Sequence, residues 1–139
     1  MASRLNPYIT FDGNAREAME AYQDVFGGEL SVNTFGDFGA AQDEAMKDKV
    51  MHSMLETSLG FTLMASDLPP GMDLRQGNQI SVSLSGDDEA ELRGYWDKLS
   101  SGGQVVMPFE KQMWGDIYGM CVDRFGISWM VDIVQPQEA

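Results

Sequence analysis

Short stretches of alternating hydrophobic and polar residues recur along the chain, and glycine, proline or acidic residues separate them. Alternation over about 4 to 8 residues predicts β-strands with one buried face. The clearest example is FGISWMVDIV, residues 125–134. One face of this stretch carries Ile127, Trp129, Val131 and Ile133, and the other carries Ser128, Met130 and Asp132. The apolar face is typical of a strand packed on a core, whereas a methionine between polar residues indicates a second use for the other face.

The same reasoning predicts eight strands and two helices. The predicted strands cover residues 6–11, 29–35, 50–57, 60–67, 78–86, 104–109, 116–123 and 126–133. Apolar residues at helical spacing predict helices over 14–26 and 87–101, and Asn14 is the expected N-cap of the first. Residues 36–49 are predicted to be a loop or a short helix, and the Pro-Pro-Gly sequence within 68–77 predicts a linker.

The predicted elements occur twice in the order strand, helix, strand, strand, strand, which indicates an internal repeat. Met54 and Met120 each precede a glycine by six residues, and Met64 and Met130 each follow that glycine by four. Gly13 and Gly86 are expected to open the two helices. The sequence therefore predicts a single domain over 1–139, made of pseudo-repeats at about 5–67 and 78–135.

Two βαβββ modules of this kind predict an α+β fold, in which a curved mixed sheet surrounds a cleft and the helices lie outside. Strand alternation assigns a uniformly apolar set, which includes Ile80, to the face toward the helices. The opposite face mixes amides, hydroxyls, an imidazole and thioethers, which suits a small-molecule pocket. The predicted cleft residues are Asn6, Tyr8, His52, Met64, Gln79, Ser81, Trp114, Tyr118 and Met130.

The net charge of −13 opposes binding to phosphate backbones and to anionic membranes. No apolar run approaches the ~18 residues of a membrane span. The N-terminal segment lacks the apolar core of an export signal, and the single cysteine, Cys121, excludes an internal disulfide. We therefore expect a cytoplasmic protein with no nucleic-acid or membrane partner.

Three segments carry a resemblance to a known family: YITFDGNAREAMEAYQDVFGGEL at 8–30, LMASDLPPG at 63–71 and WGDIYGMCVDRFGISWMV at 114–131. With them, the chain resembles the PhnB-like branch of the vicinal oxygen chelate superfamily, which includes glyoxalase I, extradiol dioxygenases and the bleomycin- and fosfomycin-resistance proteins. The resemblance covers nearly the whole chain. It implies the paired βαβββ fold and a homodimer.

Metal-dependent members of that superfamily hold a divalent ion with histidines and glutamates from four strands. The corresponding positions here are Asn6 and Gln79, or Tyr8 and Ser81 if the register shifts by two, together with Met64 and Met130. Neutral amides and thioethers are poor ligands for a hard divalent cation. We therefore expect neither a metal nor another cofactor at this place.

His52 and Glu56 share a strand face but lie about 13 Å apart, too far to chelate one ion together. His52, Tyr8 and Tyr118 are the candidates for moving a proton, although a pocket-wall or hydrogen-bonded role is favoured over catalysis for His52. Cys121 is expected to be an inert core thiol. Trp114 is expected either to line the ligand cleft or to contact a second subunit.

Three functions remain open from the sequence. The first is a metal-free binder of a small organic molecule that acts by sequestration or sensing. The second is a metal-independent enzyme of the isomerase or lyase type, and the third is a structural dimer with a vestigial cleft. A nucleotide-type cofactor is not indicated, because no G-x-G-x-x-G motif follows a strand.

Overall fold

The computed structural model of the chain describes residues 3–41, 43–69 and 71–135. The chain forms eight strands and three helices within the described residues. The first seven elements are β1 (Tyr8–Phe11), α1 (Ala15–Phe26), β2 (Glu29–Thr34), α2 (Glu44–Lys47), β3 (Val50–Glu56), β4 (Thr62–Asp67) and β5 (Val82–Gly86). The remaining elements are α3 (Glu89–Ser100), β6 (Gln104–Lys111), β7 (Ile117–Val122) and β8 (Ser128–Ile133).

The chain divides into two compact units between Gln76 and Gly77, and each unit has its own four-stranded mixed sheet. The strand order is β1-β4-β3-β2 in the first sheet and β5-β8-β7-β6 in the second. In both, the first strand runs parallel to the last, and the other neighbours are antiparallel. The predicted α+β class and the two βαβββ modules are therefore confirmed. The assignment of both modules to a single domain stays a prediction.

The internal repeat extends to the pairing of individual residues. Met54 is the cross-strand partner of Met64 in the first unit, and Met120 is the partner of Met130 in the second. Parallel pairing places Tyr8 opposite Met64 and Ser83 opposite Met130. Equivalent positions on the last two strands of each unit are thus 66 residues apart, and on the first strands 75 apart.

The predicted core faces are largely buried against the helices. Leu55, Trp129, Val131 and Ile133 are each exposed by no more than 1%. Asn14 is the N-cap of α1 but makes no capping hydrogen bond with its side chain. The carboxylate of Asp67 caps the helix instead, because it accepts a hydrogen bond from the backbone N–H of Ala15 at 2.9 Å.

The first strand of the second unit differs from its prediction. β5 begins at Val82 rather than at residue 78, and Ile80, predicted to face the helix, is 85% exposed. Gly86 does not open the helix but ends β5, where it pairs with Ile133. The alternation of apolar and polar residues continues through 78–81, but these residues have no partners in the pairing of β5 with β8. Alternation alone does not show where the pairing of two strands begins. In the described part of the chain, no helix is long and apolar enough to cross a membrane.

Candidate functional site

The sheet of the first unit presents a polar and thioether surface on the face away from α1. Register places Tyr8, Met64 and Met54 in one row across β1, β4 and β3. His52 lies two residues before Met54 on β3, so its imidazole projects from the same face. The rings of Tyr8 and His52 stack with their centroids 5.9 Å apart. Three predicted cleft residues, Tyr8, His52 and Met64, therefore share one surface.

The second unit repeats this surface with different chemistry. Met130 and Met120 form the equivalent pair, and Met107 of β6 extends the row to a third strand. Tyr118 lies where the first unit has His52, and its ring centroid is 5.9 Å from that of Trp114 in the β6–β7 turn. Trp114 is 61% exposed, so its ring is accessible to a ligand.

The other predicted cleft residues lie at the margins of these surfaces. The hydroxyls of Ser81 and Ser128 are hydrogen-bonded at 2.7 Å, which ties the segment before β5 to β8. Gln79 is exposed and precedes β5, and Asn6 is half-buried and precedes β1. The sequence alone placed these two amides on strands, whereas both lie just outside them.

A pair of carboxyl groups, Asp116 and Asp132, was not among the predicted site residues. Asp132 lies on the same face as Met130, opposite Tyr118. Burial, a hydrogen bond with the Asp116 carboxyl and the charge of that group all raise the pKa of Asp132. No described residue donates a hydrogen bond to its buried Oδ1. Protonation of Asp132 supplies the hydrogen-bond donor that two facing carboxylates lack.

The signal for this pair was present in the hairpin itself. The antiparallel register of β7 and β8 pairs Ile117 with Ile133, which brings the residue before β7 close to the end of β8. A hairpin alignment centred on Phe125 would have identified Asp116 and Asp132 as neighbours. Alternation within one strand could not, because it compares residues along a strand and not across strands.

The acid pair predicts a pH-dependent stability difference for Asp132→Asn. The pKa of Asp132 is higher in the folded protein than in the unfolded chain. Its contribution to the stability of the fold is therefore fully present below the pKa of an unfolded aspartate, and it is lost as the pH rises through the pKa of the folded state. The variant should therefore melt at a higher temperature than the wild type at pH 7, with the gain shrinking as pH falls. Thermal unfolding followed by circular dichroism from pH 4 to 8 checks this.

Asp73→Asn, in an exposed part of the linker, is the matched control for charge removal. Its effect on the melting temperature should be small at every pH. A gain for Asp132→Asn that equals the control, or that grows as pH falls, would contradict the raised pKa of Asp132.

Two further candidates have structural surroundings that limit their chemistry. Cys121 is fully buried, and burial together with the nearby Asp123 raises the pKa of its thiol to about 11. Such a thiol is a poor nucleophile at neutral pH. Glu56 is exposed at the end of β3, on the same face as His52.

The described residues contain no group of three or more histidine, cysteine, aspartate or glutamate side chains that could hold a metal ion. The positions that the resemblance suggested for a divalent ion, Asn6, Met64, Gln79 and Met130, carry neutral side chains. These side chains do not fit a hard divalent cation.

Comparison with known proteins gives the family. The model of the 3-demethylubiquinone-9 3-methyltransferase family matches residues 3–132. The chain belongs to this family. It is similar over 94% of its length, and over 97% of the other chain, to the crystal structure of PA1353 from Pseudomonas aeruginosa, with 38% identity and a TM-score of 0.81.

Two further structures place the fold. The PhnB protein from Bacillus cereus matches 93% of this chain and 98% of its own, with 21% identity and a TM-score of 0.74. The glyoxylase/bleomycin resistance protein/dioxygenase domain from Frankia matches 97% of this chain and 99% of its own, with 12% identity and a TM-score of 0.65. The fold is therefore the PhnB-like vicinal oxygen chelate fold, as the resemblance implied.

Proposed function

We propose that this PhnB-like protein binds a small, partly apolar organic molecule without a divalent metal, as a sequestering or sensing protein. The observation that carries the proposal is the aromatic and thioether surface of the second unit. Trp114 is 61% exposed beside Tyr118, and Met120 and Met130 are half-buried next to it. Exposed aromatic rings and adaptable methionines favour contact with apolar ligands.

The methyl transfer in the family's description is not part of the proposal. The sequence lacks the glycine motif of a nucleotide-type cofactor site. The second candidate function is proton transfer by His52, which is favoured by the stacking of its ring on Tyr8 at 5.9 Å. If the wild type converts a ligand into a product and the His52→Phe variant binds that ligand without converting it, the protein is an enzyme that uses His52.

Tryptophan fluorescence tests the binding proposal directly. Trp96 and Trp129 are exposed by 8% and 1%, so a ligand at the proposed surface should quench mainly Trp114. A library of metabolites and antibiotics is first screened by thermal shift. For each hit, Trp114→Ala should weaken binding about tenfold, as expected for an aromatic anchor residue.

Phe38→Ala is the matched control, because Phe38 is an aromatic residue with 58% exposure in the first unit. It should leave the affinity unchanged. Equal effects of the two variants would reject the proposed surface. A screen without any hit would favour the third possibility, a structural dimer with a vestigial cleft.

We also propose that the protein is a homodimer that associates through β6. This strand lies at the edge of its sheet, and Val105, Val106 and Met107 are 47%, 51% and 39% exposed. Residues 104–109 carry no charge in a chain of net charge −13. Electrostatic repulsion between two negatively charged copies is therefore weakest at this stretch. An edge strand also offers unpaired backbone groups that a second copy can pair with.

Val106→Glu is expected to convert the dimer to a monomer in light scattering coupled to size-exclusion chromatography. A charge at a paired edge is buried without a partner, which disfavours association. Leu59→Glu, in an exposed turn with 50% exposure, should remain dimeric. A monomeric wild type, or a dimeric Val106→Glu variant, would contradict the proposal.

A further inference from the structure

Three side chains of the first unit surround one point on the sheet surface. Met54 and Met64 are cross-strand partners on β3 and β4, so their Cβ atoms lie about 5 Å apart. His52 is two residues from Met54 on the same strand, about 7 Å away, and is diagonal to Met64 at about 7–8 Å. The three positions form a triangle that long side chains can close around a single ion.

The potential donor atoms of this triangle are available. His52, Met54 and Met64 are all half-buried, neither fully covered nor fully exposed. The imidazole of His52 stacks on Tyr8 but makes no hydrogen bond to any residue within 3–41, 43–69 or 71–135. A ring that packing holds in place while its nitrogens stay unpaired is suited to coordination.

The donor set selects the kind of ion. The two thioethers are soft ligands and the imidazole is a neutral ligand of borderline softness, and such a set prefers copper(I) to hard divalent cations. The next row of the same face carries Glu29 and Glu56, which are cross-strand partners. Their carboxylates, within a chain of net charge −13, attract a cation without having to coordinate it.

The second unit provides an internal comparison. Met120 and Met130 repeat the methionine pair, but Tyr118 takes the place of His52. A neutral phenol is a poor ligand for a soft ion, so this copy lacks the third donor. Met107 adds another thioether in line with the pair, across three strands, rather than closing a triangle.

We propose that His52, Met54 and Met64 form a binding site for a soft monovalent metal ion, with copper(I) as the ion of best fit. The three residues belong to the first unit, whereas Trp114 belongs to the second, and the metal site does not depend on the proposed organic ligand. Trp114→Ala should therefore leave metal binding unchanged.

The test is an anaerobic titration of the full-length protein with copper(I), supplied as its acetonitrile complex, against the chelator bicinchoninate. The wild type should bind one equivalent. Met64→Leu, which keeps the volume but removes the sulfur, and His52→Phe, which keeps an aromatic ring, should each weaken binding at least tenfold. Met130→Leu is the matched control in the second unit and should bind as the wild type does.

Two more variants make the result decisive. Cys121→Ala should retain the equivalent, because the thiol is fully buried. Tyr118→His completes the triangle in the second unit and should add a second equivalent. Binding that survives Met64→Leu, that is lost in Cys121→Ala or Met130→Leu, or that stays at one equivalent in Tyr118→His would overturn the proposal.

Discussion

Replacement of Asp67 by alanine is expected to lower the free energy of unfolding by about 3–5 kcal/mol. Asp67 is 3% exposed and ends β4. Its two carboxylate oxygens accept hydrogen bonds from the backbone N–H groups of Ala15 at 2.9 Å and Val50 at 2.8 Å. Alanine leaves both buried donors unsatisfied and removes the cap of α1. Urea unfolding followed by circular dichroism measures the loss.

Two variants separate the hydrogen bonds from other effects of the substitution. Asp67→Asn keeps one acceptor oxygen at nearly the same volume, so its loss should be about half that of alanine. Asp73→Ala removes a carboxylate from an exposed linker position and should change the free energy of unfolding by less than about 0.5 kcal/mol. If Asp67→Ala and Asp73→Ala unfold at the same urea concentration, Asp67 does not join the helix to the two strands.

The core and the repeat could be predicted from the sequence because both determine the spacing of residues along the chain. A buried strand must alternate, so Trp129, Val131 and Ile133 could be assigned to the helix side, where all three are buried. Met64 and Met130 could be matched because the hairpins that hold them have equal lengths, which conserves their distance from a turn glycine.

The sequence could not predict contacts that depend on how separate elements meet. The capping of α1 by Asp67 joins positions 52 residues apart, and no local pattern marks it. Asn14 has the residue type of a cap but not the bond. Alternation placed Asp132 only on the polar face of its strand, whereas its raised pKa arises from burial and from Asp116 on the other side of a hairpin. Each of these contacts depends on which elements lie close together in the fold, whereas the spacing of apolar residues shows only whether a segment is a helix or a strand.

Substitution of Gly103 by alanine is expected to lower the free energy of unfolding by about 3 kcal/mol. Gly103 lies between α3 and β6, and a Cβ atom there would be 2.1 Å from the carbonyl oxygen of Val122 and 2.9 Å from the Cα of Asp123. Both are backbone atoms at the end of β7, so no side-chain rotation relieves the overlap. The turn after α3 would have to move away from the hairpin. Urea unfolding measures the change.

Gly94→Ala is the control, and its effect should have the opposite sign. Gly94 lies within α3, and a Cβ atom there would meet nothing within 4 Å. Alanine in a helix interior is favoured over glycine by about 0.5–1 kcal/mol, so this variant should be more stable than the wild type. Gly28 shows the same close approach in the first unit, 2.3 Å from the carbonyl oxygen of Glu56. The close contact between the turn after the main helix and the end of the third strand therefore occurs in both modules. A Gly103→Ala variant as stable as the wild type would contradict its importance for stability.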